Sequence, residues 1–200
     1  MSGGVSVLTL SGRAVLPVIP DLARLRVEVF REWPYLYDGD LDYERRYLAK
    51  YADLDGATIV VARDGERVVG ASTALPLATA EAAMQKPFRD AGLGVADWYY
   101  FGESVLDRAY RGRGLGVAFF AGREARAREL GYRRTTFCAV QRPADHPLKP
   151  ADYVPLDAFW TKRGYARRDE LVASFDWQDI DQPGETSHPM VFWTRELPPG

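Results

Sequence analysis

The segment Trp98–Gly131 limits the possible folds of this chain more than any other part of it. An apolar, aromatic run over Trp98–Leu106 reads as a strand. The hexapeptide Arg111-Gly112-Arg113-Gly114-Leu115-Gly116 follows a few residues later. A helical period over Leu115–Leu130 then begins at once and is closed by Gly131, and a second strand spans Arg134–Val140. Strand, glycine-rich loop, helix and strand in that order form the middle of an α/β domain. The loop also carries chemistry. A helix start presents backbone N–H groups without internal partners and a partial positive charge. Glycines reach conformations closed to other residues and let the backbone approach an anion closely. Successive amides can then form a nest for phosphate oxygens, and Arg111 and Arg113 can add charge-assisted hydrogen bonds.

The common nucleotide loops do not fit. The P-loop pattern requires Lys-Ser/Thr after its last glycine, and none is present. The dinucleotide fingerprint finds its first two glycines in Gly112 and Gly114, but its third position is Val117.

The rest of the chain supplies the elements of one mixed domain. Val5–Leu10 and Arg13–Ile19 read as short strands around Ser11-Gly12, the second closed by Pro17 and Pro20. Asp21 reads as the cap of a helix over Leu22–Trp33, in which Leu22, Leu25, Arg26, Val29 and Phe30 fall at helical spacing. A turn-rich aromatic stretch, Tyr35–Asp40, precedes a helix over Tyr43–Tyr51. Ala57–Arg63 and Arg67–Leu75 form a hairpin about Asp64-Gly65. Leu77–Asp90 reads as a helix, or as helical turns broken at Pro87. A proline-rich loop (Pro143, Pro147, Pro150) leads to a short helix over Leu156–Arg163 ended by Gly164. Tyr165–Phe175 and Met190–Glu196 are the last strands. No linker or repeat divides the chain, so 1–200 is expected to be one α/β domain with a mixed sheet.

Composition narrows the function classes. The net charge of -2 argues against non-specific nucleic-acid binding. Arg108, Arg111, Arg113, Arg123, Arg126, Arg128, Arg133 and Arg134 nevertheless crowd one segment, a local positive field that suits a small anionic ligand. The single cysteine, Cys138, excludes an internal disulfide and fits a reducing compartment. No leader-like N-terminus or membrane-length apolar run is seen, so a cytoplasmic protein without membrane association is expected.

The spacing R-x-x-G-x-G, carried by Arg111, Gly114 and Gly116, resembles the acetyl-CoA loop of the GNAT acyltransferase superfamily. The likeness extends over Tyr99–Arg168. Phe101–Leu106, Leu115–Leu130 and Arg134–Val140 take the places of that family's strand, helix and strand. Ala158-Phe159-Trp160-Thr161-Lys162-Arg163-Gly164-Tyr165 stands where the family ends a short helix in an aromatic-glycine-aromatic turn. The resemblance implies a GNAT-type fold: a twisted, mostly antiparallel mixed sheet flanked by helices. It also implies transfer of an acetyl group from acetyl-CoA to a primary amine of a small molecule or peptide, by direct attack in a ternary complex. Arg111, Gly112, Arg113, Gly114, Leu115 and Gly116 would hold the pyrophosphate, and the backbone of Val105 and Leu106 would pair with the pantetheine arm.

Acetyl transfer requires a neutral amine, whereas a free alkylamine with a pKa near ~10 is mostly protonated at neutral pH. Glu103 is the candidate base, directly or through water. Alternation places it with Val105 and Asp107 on one strand face, and the competing reading is a carboxylate paired with an arginine. Trp160 stands where many family members carry a tyrosine acid. An indole only donates, so Trp160 either packs against CoA or belongs to the core. Tyr165 reads as a packed aromatic, and the thiolate is expected to leave unprotonated or to be served by another tyrosine.

Weaker signals concern the acceptor. Tyr35, Tyr37, Asp38 and Asp40 read as one wall of its site or as a turn cluster, and acidic groups there would suit a cationic amine. The stiff loop carrying His146 could cover the acceptor, although a locally bonded loop histidine is the plainer reading of both His146 and His188. Neither histidine has metal-ligand spacing, so no metal is expected. Cys138 reads as a buried structural thiol, and Gly102-Glu103-Ser104 lacks the second glycine of a nucleophile elbow. A non-catalytic acyl-CoA sensor on the same fold, or an interaction module, would share most of these features. A homodimer is compatible with the sequence.

Overall fold

The computed structural model describes residues 4–199. Met1–Gly3 and Gly200, the ends of the expected 1–200 domain, lie outside it. Among the described residues seven strands form one sheet: β1 (Ser6–Leu10), β2 (Thr58–Asp64), β3 (Arg67–Pro76), β4 (Trp98–Leu106), β5 (Arg134–Val140), β6 (Ala166–Gln178) and β7 (Glu185–Glu196). Their spatial order is β1-β2-β3-β4-β5-β7-β6. Every neighbouring pair is antiparallel except β4 and β5, the parallel pair that brackets the long helix. The helices are α1 (Ile19–Phe30), α2 (Leu41–Ala49), α3 (Ala82–Asp90), α4 (Leu115–Glu129) and α5 (Asp157–Lys162).

Each sheet face buries its own apolar set. On one side α1, α2 and α3 cover Val61, Val105, Cys138 and Phe192 with Leu22, Leu25, Leu48 and Phe88. On the other, Phe119, Phe120 and Ala127 of α4 pack on Val60, Ala62, Phe101, Phe137 and Val191. Each such fully buried ring or aliphatic side chain contributes about 1.5–3 kcal/mol.

Two expectations are corrected. Gly12–Val18, which includes most of the expected strand Arg13–Ile19, is a 3-10 helix. Pro20 does not close that segment but sits in the first turn of α1, which starts at Ile19 with Asp21 in its first turn rather than at its cap. A proline there removes an N–H that has no helical partner anyway. The second correction is in Leu77–Asp90, where the break falls at Ala80–Glu81 and not at Pro87. A 3-10 turn covers Leu77–Thr79, and Pro87 lies inside α3. The final hairpin is also longer than expected, because β6 runs on to Gln178 and β7 starts at Glu185.

Two local features shape the site. Pairing between β4 and β5 covers only Trp98–Arg134, Tyr99–Thr135 and Tyr100–Thr136, after which the strands have no further ladder between them. Just beyond that point β4 bulges, so that Gly102 and Glu103 together face Thr73 of β3. A Cβ on Gly102 would run into the Thr73 hydroxyl, so the position requires glycine.

Candidate active site

The bulge decides where Glu103 points. Before it, Trp98 and Tyr100 face α1 and α3, whereas Tyr99 and Phe101 face α4. After it, Val105 faces the α1 side. The extra residue has switched the two-residue alternation. Without it, Glu103 would lie with Tyr99 and Phe101 under α4. With it, Glu103 meets Arg26 of α1, whose Nη1 lies 2.8 Å from Glu103 Oε2. The expectation that Glu103 and Val105 share a face holds; Asp107 lies past the strand end, where it pairs with Arg67 at 2.7 Å.

Arg26 serves a second carboxylate. Its Nε is bonded to Glu44 Oε2 on α2, and the Glu44 side chain is completely buried. Burial pulls the guanidinium pKa down, but Glu103, Tyr47 and Glu44 more than offset this and raise it. Glu44–Arg26–Glu103 is therefore a buried triad with one positive and up to two negative charges. Glu44 Oε1 and Glu103 Oε1 have no hydrogen-bond partner among the described residues. Buried acceptors left unpaired cost about 1–3 kcal/mol each, more when charged. Structures tolerate this where a ligand or water completes the set.

Both carboxylates line a cavity of about 870 Å³. Tyr35, Tyr37, Asp38 and Asp40 lie on its wall, as do Tyr100 and Cys138 at the apex where β4 and β5 part. Tyr100 Oη and Cys138 Sγ are 3.3 Å apart. Burial raises the pKa of Tyr35, Tyr37, Tyr47, Tyr51 and Tyr100, so these phenols stay protonated. Burial likewise pushes the Cys138 thiol up to about 12, which makes it a poor nucleophile.

The loop Arg111–Gly116 lies at the other end of the separated strands. Gly112 and Gly114 adopt φ of 75° and 81°, and Gly114 caps α4. Added Cβ atoms there would meet nothing within 4 Å, so it is the backbone conformation and not crowding that requires glycine. Val117 and Ala118 donate to the Gly114 carbonyl, whereas the amides of Gly112, Arg113, Gly114, Leu115 and Gly116 have no protein acceptor among the described residues. Five consecutive free N–H groups at a helix start fit a diphosphate. Leu115 anchors the turn in the core.

The arginines divide. Arg111 makes a two-bond pair with Glu32, at 2.8 and 3.1 Å, and donates to the Leu106 carbonyl at 3.3 Å. Both partners are exposed, so the pair contributes about 0–1 kcal/mol and leaves Arg111 available to an anion. Arg113 lies over the Tyr110 ring at 4.9 Å. Part of the expected positive field does not reach the loop. Arg123 is buried, its guanidinium 4.5 Å from the Phe101 ring and 4.9 Å from the Phe120 ring, and burial lowers its pKa to about 10. Arg126 pairs with Glu129, and Arg134 with Asp97.

Trp160 is half-buried against Phe137 and Trp193, as a core ring would be. Tyr165 is buried, with its hydroxyl 3.0 Å from Thr135 Oγ1 and donating to Glu124 at 3.2 Å; burial and Glu124 raise its pKa. It is a structural ring without access to the cavity. His146 packs on Trp33 at 5.1 Å and accepts from Leu148 N at 3.2 Å, outside the cavity lining.

A second buried network fixes the cavity wall. Arg142, at the end of β5, makes two bonds to Asp179 at 2.6 and 2.8 Å and donates to the carbonyls of Pro34 and Tyr35. Trp177 Nε1 donates to the same Tyr35 carbonyl and to Asp179. His188 stacks on Trp177 at 3.8 Å. Sequence reasoning missed Arg26 as a site residue, Glu44 and this Arg142–Asp179 latch. The one available signal was Arg26, a charge within the apolar stripe of α1.

Among the described residues no group of His, Cys, Asp and Glu side chains could hold a metal ion, and no helix is long and apolar enough to cross a membrane. The family model described as the acetyltransferase (GNAT) family matches residues 22–150. No curated protein matches the sequence. Among solved structures, the ribosomal-protein-alanine N-acetyltransferase of Brucella melitensis aligns with 95% of this chain and 99% of its own, at 16% identity and a TM-score of 0.62. The Salmonella typhimurium protein yncA, solved with its cofactor acetyl-CoA, aligns with 99% of this chain and 96% of its own at 12% identity and a TM-score of 0.61. An N-acetyltransferase of Staphylococcus aureus Mu50 aligns with 98% of this chain and 100% of its own at 12% identity and a TM-score of 0.61. At these identities the likeness is one of fold, whereas the family model spans more than half of the sequence. The free amides before α4, the parted strands and the family match converge: the chain belongs to the GNAT acetyltransferase family.

Proposed function

We propose that this protein is an N-acetyltransferase that moves the acetyl group of acetyl-CoA to a primary amine by direct attack in a ternary complex. The observation that carries the reading is the row of unpaired amides at Gly112–Gly116, set at the mouth of the gap between β4 and β5. Acetyl-CoA would supply the thioester. The chain's groups would then act as follows. The Gly112–Gly116 amides, with Arg111 and Arg113, hold the pyrophosphate. The β4 edge at Val105 and Leu106, unpaired on the β5 side, takes the pantetheine arm, and an amide of this stretch polarises the thioester carbonyl. Glu103, through its free Oε1 or a water bound there, takes the proton of the arriving ammonium; the neutral nitrogen then bonds to the carbonyl carbon and sheds its second proton to solvent water as the amide forms. The C–S bond breaks and the sulfur leaves as thiolate. The phenols of Tyr35, Tyr37, Tyr47 and Tyr100 remain protonated and offer hydrogen bonds without serving as strong acids. With one buried thiol, the protein suits the reducing cytoplasm, where we place this activity.

The test is release of free thiol from acetyl-CoA with an amine panel, with mass confirmation of the acetylated product. Glu103→Gln is expected to lower kcat by about 10²–10⁴-fold while the acetyl-CoA Kd stays within about twofold. Unchanged kcat in that variant would remove Glu103 from the chemistry. Absence of any acetyl-CoA binding would remove the reading as a whole.

A further inference from the structure

The cavity is charged in two tiers. At its base, the triad Glu44–Arg26–Glu103 sets two carboxyl groups against one guanidinium and leaves two buried carboxyl oxygens unpaired among the described residues. That tier is balanced by one ammonium, the reacting amine as it arrives. The rim holds more acid than this requires. Asp53, Glu81, Asp176 and Glu185 line the same cavity, all exposed, and none makes an ion pair among the described residues. Asp38 is already paired with Arg31 at 2.6 Å, and the Asp40 side chain caps α2. Among the described residues the rim's single cation is Lys50, which leans over the Tyr47 ring at 5.8 Å. Tyrosine faces, including exposed Tyr43, line the same cavity, and such rings attract cations and pack against methylene chains.

A small molecule with a single amine would answer the base and leave the rim unsatisfied. We infer that the acceptor is a small aliphatic di- or polyamine: one ammonium is received between Glu103 and Glu44, and a second, beyond an apolar spacer, is held by the rim carboxylates. This inference rests on the acetyl transfer proposed above and adds the acceptor's class to it. A volume of about 870 Å³ suits a small molecule of this kind.

The experiment compares 1,5-diaminopentane with pentylamine at neutral pH, where both are charged, in two readouts. One is kcat/KM for thiol release from acetyl-CoA. The other is calorimetric binding of each amine to the protein without acetyl-CoA. The diamine is expected to exceed the monoamine at least tenfold in both, and the margin should shrink at high salt, which screens the exposed rim charges. In the double variant E81Q/D176N, isosteric at two exposed positions, the diamine-to-monoamine ratio is expected to fall at least fivefold. Equal or better use and binding of pentylamine overturns the inference, as does a ratio unmoved in the double variant. Loss of turnover with every amine, alongside tenfold tighter diamine binding, would overturn acetyl transfer and leave the cation site standing.

Discussion

Arg142→Met removes the centre of the latch that holds the Tyr35 wall. Arg142 and Asp179 are 7% and 4% exposed, and the guanidinium makes both bonds to the Asp179 carboxylate as well as one each to Pro34 O and Tyr35 O. The variant leaves Asp179 buried, with the Trp177 indole and His188 as its remaining neighbours. Breaking one side of a buried pair costs about 3–5 kcal/mol. At about 2–4 °C per kcal/mol for a domain of this size, Tm should fall by about 6–20 °C. Urea unfolding and calorimetry measure this directly. Asp179→Asn added to Arg142→Met should cost much less than the sum of the two single changes, because the two groups are coupled. His188 provides an independent reading. Burial first, and the Arg142 charge second, hold its pKa below the ordinary 6.5, while Asp179 pulls the other way. A folded-state pKa below the unfolded one means that protonation favours unfolding. This contribution to stability is whole above about pH 6.5 and is lost as pH falls through the folded-state value. Without Arg142 the His188 pKa should rise, and the two imidazoles of the chain make that simple to follow by NMR. A loss under about 1 kcal/mol together with an unmoved His188 would refute the latch.

Further outcomes follow from the same contacts. Gly114→Ala forces a non-glycine residue to φ 81° and should cost about 1–2 kcal/mol of stability while raising the acetyl-CoA KM, read by urea titration and initial rates. Tyr165→Phe should lower stability by about 1 kcal/mol, since its hydroxyl bonds Glu124 and Thr135, and leave kcat within about twofold; a large fall in kcat would make Tyr165 the acid. Cys138, with its pKa pushed up to about 12 by burial, should resist iodoacetamide at pH 8 in the folded protein and react quickly in urea.

The limits of β4 and β5 match the sequence reading residue for residue, because Trp98–Phe101, Val105-Leu106 and Arg134–Val140 are rich in aromatic and β-branched residues and are flanked by turn residues. The loop was legible because Gly112 and Gly114 have a local conformational reason, φ values that side chains rarely adopt. The Arg13–Ile19 error has a local cause too: Val15, Leu16 and Val18 read as a strand, while a proline can either end one element or begin the next. The base of the site was not legible in the same way. Arg26 joins α1 to α2 and to β4, and Arg142 joins β5 to Asp179 and to the turn after α1, contacts that only the assembled sheet creates. Glu103 was found from its place on β4, but the bulge that turns it toward Arg26 depends on Thr73 of the neighbouring strand.

Amide NMR during a titration with acetyl-CoA tests most directly whether the loop before α4 grips a diphosphate. The signals of Gly112–Gly116 should move furthest, and their hydrogen exchange should slow as the ligand saturates. Saturable binding that leaves those five amides unmoved, or no binding at all, would contradict it.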